Sequence, residues 1–504
     1  MKILKFLLRI SLALAAVAAL SPASTAWAQV DLTRIAWVGD SEGAGFSANC
    51  LTKRVQVDSP GAILARTAGV DYQQPIINDP GLGNCMVLTS LAPSFGAEAG
   101  NGTPANLALA RPYNNLSVGG CAIHDMLTAT TGSQTVGAGT CRNTIDLVLR
   151  NSSLHLGSMV DQAIALNPTF VFLENVGMDY LGAVLSGTFI DGVTITSVAS
   201  FTADTNAAVS KLAAKQPKGI VFGVADVTSI PFTTTLPPFL TSGGKLVLNP
   251  ATGAPIPLLG PKGCPAGVPA CPIPATTLVT LNAAAYLPLG FGIPCIPGVT
   301  SSLPKCNNPL PAAGDPVTGN PGVLIYAADV ALLKQRFADY NAAVKAAAAA
   351  SGYKFYDTND LLLRMKAGFD IGGVALSASF LNADHSGGGI FSYDGFHLTP
   401  IGYALLADDL TKFINANFPG ANLKEPDLSV YLFNGGTAGG LSGSSALYVP
   451  LNGEDYDRAL QAIFMPEFTR QLASMFSLSR PPLVQGDSGP VRRAEPHRSG
   501  VEQQ

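Results

Sequence analysis

Ile35-Ala-Trp-Val-Gly-Asp-Ser-Glu-Gly-Ala-Gly45 is the stretch from which the fold is read. Ile35 to Val38 form a short apolar run, and Gly39 and Gly43 break it immediately afterwards. The stretch reads as a buried strand that runs into a Gly-Asp-Ser turn. Open α/β sheets collect their ligands at the carboxyl ends of strands, so Ser41 stands where chemistry is expected.

Working outward, the same kind of apolar strand recurs. Thr169-Phe-Val-Phe-Leu173 follows Pro168, Gly219-Ile-Val-Phe-Gly-Val-Ala225 comes next, and Lys354-Phe-Tyr-Asp357 is a third. Helical patterning covers 143–166, 202–215, about 326–351, and a last segment from Pro400 to about 418. Proline in a first helical turn fits its fixed φ and missing donor. Residues 114–125 read as a strand ending in the Gly119-Gly120 turn and a helix start. Strands alternating with helices imply a parallel sheet covered on both faces.

Two regions interrupt this alternation. Residues 46–115 are rich in Gly, Pro and Asn and read as a long surface excursion. Residues 236–321 are crowded with Pro and Gly and hold four cysteines. That length marks an insertion, either a lid or wall of a cleft or a passive excursion. Beyond Gly420, residues 421–480 read as a small appendage with a strand-like Ser429–Phe433 and a helix over about 456–477. Residues 481–504 read as a polar, Pro-rich disordered tail.

The first 28 residues read as an export signal. Lys2, Lys5 and Arg9 precede or interrupt an apolar run to Leu20, and Ala26-Trp27-Ala28 is an A-x-A cleavage pattern. The expected location is therefore periplasmic or extracellular. No later stretch has the length and apolarity of a membrane span. The formal charge is −4, and loss of the three basic residues of the signal takes it to −7. With 13% charged residues, an acidic balance and no basic patch, nucleic acid is not an expected partner. All 8 cysteines follow the signal, at 50, 85, 121, 141, 264, 271, 295 and 306. An even number in an oxidising compartment suggests disulfides, and the sequence-local grouping is 50–85, 121–141, 264–271 and 295–306; sequence does not fix that connectivity, and the alternative is that some cysteines are buried and free.

Serine needs a base to become a nucleophile, and the base needs orienting. The chain offers five histidines: 124, 155, 385, 397 and 497. His497 lies in the tail, and His155 lies in a helical stretch without an orienting acid. His124 follows the Gly119-Gly120 turn and reads as a helix-start residue near the cleft. His385 with Asp384 lacks a second histidine at ligand spacing, so no metal is expected there. His397 is different: Asp394-Gly-Phe-His397 sets a carboxylate three residues before it, just ahead of a helix. A tight turn of that length lets the carboxylate reach the imidazole and fix its tautomer.

Gly39-Asp40-Ser41, with Gly45 four residues on, resembles the nucleophile block of the GDSL-type, or SGNH, hydrolases. Asp394-x-x-His397, continued by Thr399 and Gly402, resembles their last block. Val118-Gly-Gly120 looks like the second block, and Val224–Phe232 looks like a segment many bacterial members carry. The resemblance covers most of 33–418, although 46–110 and 236–321 match little. It implies a flavodoxin-like three-layer α/β/α sandwich around a parallel sheet, with the hydrolase domain over 29–420.

It also implies a serine esterase or lipase that uses no cofactor and acts on a small-molecule or lipid ester. Ser41 would be the nucleophile, His397 the base and Asp394 its orienting acid. The N–H groups of Ser41 and Gly120 would form the oxyanion hole. Two positions depart from the pattern. Glu42 stands where leucine is usual, and Met178 stands where the family has an oxyanion-hole asparagine. Methionine cannot donate. Either Asn175, three residues earlier, takes over, or the hole relies on backbone donors. The competing expectation is a catalytically silent binding or assembly module of the cell envelope. Oligomeric state is not legible.

Overall fold

In the computed structural model the described residues are 30–433, apart from 79, 91–93, 138, 216, 243–244, 316 and 379–388. The signal segment, the Asp384-His385 pair, the appendage beyond 433, the tail and His497 lie outside the described residues.

Four parallel strands form the central sheet. β1 (Ile35–Val38), β6 (Phe170–Leu173), β7 (Lys218–Phe222) and β8 (Lys354–Tyr356) are ordered β1-β6-β7-β8. Ile35 pairs with Phe170, Phe170 with Lys218, and Lys354 with Ile220. β1 and β6 are buried along their whole length, which is why they read as unbroken apolar runs rather than alternating ones. The 114–118 segment runs beside β1 on its free edge. It forms a parallel bridge at Asn115, and Leu116 N–H donates to Trp37 O at 2.8 Å.

One face of the sheet carries a row of aromatic rings. Trp37 stacks on Phe172 at 4.4 Å, and Phe222 meets Trp37 at 5.5 Å and Tyr356 at 5.1 Å. The helix Pro400–Asn417 covers this row, with Phe413 edge-on to Tyr356, and it packs on the helix Pro60–Ala68. A second helix group, Ile123–Thr128, Met159–Ala165, Val198–Ala213 and Ala327–Ser351, packs together and also touches the sheet. This mixed α/β arrangement is compatible with a three-layer α/β/α sandwich.

The 46–115 excursion is structured rather than featureless. It holds an antiparallel sheet of Phe46–Ser47 (β2), Cys50–Leu51 (β3), Leu82–Ser90 (β4) and Ser94–Asn101 (β5). All four disulfides join the sequence-local pairs: Cys50–Cys85, Cys121–Cys141, Cys264–Cys271 and Cys295–Cys306, with Cα separations of 4.7 to 5.4 Å. They fit an oxidising compartment. Among the described residues no helix is long and apolar enough to cross a membrane.

Two local expectations are corrected. The stretch 143–166 is not one helix but Gly139–Leu149, Asn151–Leu154 and Met159–Ala165. Arg150 and His155 take left-handed φ of 49° and 53°, and Ser158 with Asp161 caps the third helix afresh. Ser429–Phe433 is a helix, not a strand. Asp427 Oδ1 accepts from Ser429 N–H and Oγ, and Tyr431 is buried. The segment packs against the helix Pro400–Asn417 as one more helical turn.

Candidate active site

The Gly-Asp-Ser turn leaves β1 and at once becomes a one-turn helix, Ser41–Ala44 (α1). Asp40 caps it, its Oδ1 accepting from Glu42 N–H at 3.2 Å, and Gly45 ends it at φ 78°. The buried Glu174 carboxyl lies against this turn. A Cβ at Gly39 or Gly43 would overlap its Oε2, so both glycines exist to let the carboxyl approach.

Across the site, Asp394 and His397 form the expected pair. Asp394 Oδ2 is 2.7 Å from His397 Nδ1, and both residues are buried. The turn is built around the carboxylate. Oδ1 accepts from the N–H of Phe396 (3.1 Å) and His397 (2.9 Å) and from Ser392 Oγ (3.0 Å). Oδ2 also accepts from Asn49 N–H at 2.8 Å, so the 46–115 excursion helps hold the acid. Gly395, at φ 77°, allows the turn to close. Burial pushes the Asp394 carboxyl up, but the imidazole and these donors outweigh it and hold it below the ordinary value. Burial pulls His397 down, but Asp394, then Glu42 and Asp40, outweigh it and raise it.

The two blocks, far apart in the chain, come within electrostatic reach of one another. The carboxyls on either side of Ser41, Asp40 and Glu42, are close enough to act on the imidazole. The Phe46 ring stacks on His397 at 5.4 Å, and Tyr403 donates to Phe46 O. A Cβ at Gly119 would come within 2.6 Å of that same ring, so the Gly119-Gly120 turn sits beside it. Val118 N–H donates to Gly39 O at 3.0 Å and ties this turn to the nucleophile turn. His397 Nε2 is buried without a hydrogen-bond partner among the described residues, so the Ser41 Oγ to Nε2 bond is not made here. Such bonds are commonly loose before substrate arrives.

The backbone N–H groups of Ser41 and Gly120 have no acceptor among the described residues, and Gly120 takes φ 84°. Asn175 is engaged elsewhere. Its Nδ2 donates to Asp179 Oδ2 at 2.8 Å, while its Oδ1 is buried and unpaired. Asp179 also accepts from Ile123 N–H and Thr196 Oγ, which makes it a tie between three segments. Met178 opens the helix Met178–Ser186 and lines a cavity of about 90 Å³ that reaches Ser41. Most of its wall is apolar and includes Leu181, Ile230, Leu361, Met365 and Phe396. No residue of the 236–321 insertion lines it. That insertion instead backs the histidine loop, where a Cβ on Gly395 would meet Leu281.

The other described histidines lie outside this group. His124 pairs with Asp204 at 3.1 Å, and His155 ends the short helix Asn151–Leu154. The residues not singled out from sequence are Glu174, Phe46 and Ser392. A charged residue ending an otherwise apolar strand was the available signal for Glu174. Phe46 and Ser392 carry no such signal. No protein-family model, no curated protein and no solved structure matches the chain.

Proposed function

We propose that the protein is an exported serine esterase of the GDSL, or SGNH, type on a flavodoxin-like sandwich. The observation that carries this reading is the buried Asp394–His397 pair within electrostatic reach of Asp40 and Glu42, the residues flanking Ser41 at the carboxyl end of β1. Ser41 Oγ attacks the ester carbonyl as its proton passes to His397 Nε2. Asp394 stabilises the imidazolium. The oxyanion takes hydrogen bonds from the Ser41 and Gly120 N–H groups. As the tetrahedral intermediate collapses, His397 returns the proton to the leaving alcohol and an acyl-enzyme remains. Water, deprotonated by His397, then releases the acid.

The apolar cavity beside Ser41 suits an aliphatic acyl group. Each buried methylene is worth about 0.8 kcal/mol, which is roughly four-fold in kcat/KM. p-Nitrophenyl butyrate, two methylenes longer, should therefore be hydrolysed about fifteen-fold faster than the acetate in kcat/KM. A flat or falling series would remove the cavity from the acyl side. A fluorophosphonate probe should label the wild type and not Ser41→Ala; labelling that survives the substitution would end the Ser41 assignment.

The second reading is a silent module on the same scaffold. It is favoured by Met178 in place of a donor and by an Asn175 amide bound to Asp179. Absence of both labelling and turnover in the wild type would select it.

A further inference from the structure

We propose that Glu174 is a positioning residue for the nucleophile turn: its carboxyl takes backbone N–H groups on both sides of Ser41 and leaves Ser41's own N–H free for the site. This rests on the esterase reading for its catalytic consequence, though not for its structural one.

The first turn of a helix carries N–H groups with no partner inside the helix. In α1 these can be followed one by one. Glu42 N–H goes to Asp40 Oδ1 at 3.2 Å. Gly43 N–H goes to Glu174 Oε2 at 2.9 Å, and Asp40 N–H goes to the same oxygen at 3.2 Å. Ala44 N–H goes to Asp40 O. Ser41 N–H alone is left without an acceptor among the described residues. In an ordinary capping box, a glutamate at the third helical position reaches back to the cap N–H. Here that position is Gly43, which has no side chain. Glu174, delivered from the end of β6 across a sequence separation of 131, supplies the carboxyl instead. The arrangement couples the strand that pairs with β1 to the geometry of the serine.

The groups facing Glu174 are Asp40 on the turn, Glu42 on α1, the Tyr72 and Tyr403 hydroxyls, and the Trp37 indole N–H, which also donates to Oε2 at 3.5 Å. None carries positive charge. Burial pushes the Glu174 carboxyl well above its ordinary range, and Asp40 adds to this. Burial pushes the Asp40 carboxyl up as well, and two buried carboxyls without a cation beside them favour the neutral form of Glu174. A neutral acid fits the task. It accepts the two N–H groups without setting a full negative charge behind the place where the oxyanion forms.

The test compares Glu174→Gln with Glu174→Ala in the full chain, disulfides intact. Glutamine keeps an accepting oxygen on a neutral side chain. On p-nitrophenyl butyrate, Glu174→Ala should lower kcat about a hundred-fold with KM changed less than about three-fold. Glu174→Gln should restore kcat to within about ten-fold of wild type. Amide exchange of the peptide 38–45 should be at least ten-fold faster in Glu174→Ala and near wild type in Glu174→Gln. Unchanged exchange and kcat in Glu174→Ala would overturn the proposal, as would Glu174→Gln failing as badly as alanine. If the wild type hydrolyses no ester, the esterase reading fails, while the exchange comparison still decides the positioning role.

Discussion

Glu42, the residue after the serine, puts a carboxyl where the resembled family carries leucine. The residue is half-buried, but its Oε2 is buried and accepts no hydrogen bond among the described residues. Burial raises its pKa from 4.5 to about 8, against the pull of His397 and with the help of Asp40. The folded state therefore holds a proton between about pH 4.5 and 8 that the unfolded chain has lost. Stability from this group is full below the unfolded value and falls as pH rises towards 8, by up to about 1.4 kcal/mol per pH unit. Glu42→Gln should flatten that decline. The check is the melting temperature of both proteins at pH 5, 6, 7 and 8. Identical slopes would mean that the carboxyl is not held neutral by the fold.

At the scale of elements, the site is a stack of three segments: the Gly119-Gly120 turn, β2 and the histidine loop. Phe46 of β2 is the piece between them, touching His397 on one side of the contact and the glycine turn on the other. Gly119→Ala would place a methyl 2.6 Å from the Phe46 ring. The ring must shift, and the imidazole stacked on it shifts with it. Misplacement by about 1 Å can cost on the order of a hundred-fold in rate, so a fall of ten-fold or more in kcat is expected. Phe46→Leu in the same chain should relieve part of it. A Gly119→Ala variant with wild-type kcat would show that the ring has room to move.

At the scale of the molecule, long excursions from the α/β core are fastened where they matter to the site. Cys50–Cys85 ties β3 to β4 within the excursion that donates Asn49 N–H to Asp394. Cys121–Cys141 fixes the residue after Gly120 to the helix Gly139–Leu149 across a separation of 20 residues. In the chain-entropy picture a loop of that size stabilises by about 3 kcal/mol. Reduction should lower the melting temperature by several degrees. Mass mapping of non-reduced peptides should recover the four local pairs. A Cys121 peptide joined to Cys264 or Cys271 would contradict this arrangement.

The sequence by itself determined the parallel sheet, because strands buried on both faces must be apolar throughout, and Ile35–Val38 and Phe170–Leu173 are. It determined the Asp394–His397 contact, because three residues with Gly395 between them can close only a short turn. It suggested local cysteine pairs, because near neighbours in the chain meet most easily, but the connectivity itself was decided by the fold. It did not determine what Glu174, Phe46 and Asn49 do, since each acts on a residue far away in the chain. Nor could it settle Asn175. Only the folded chain, by bringing Asp179 Oδ2 to 2.8 Å, shows where that amide is engaged. Local geometry is written in spacing, but which distant donor finds which acceptor is decided by how the layers pack.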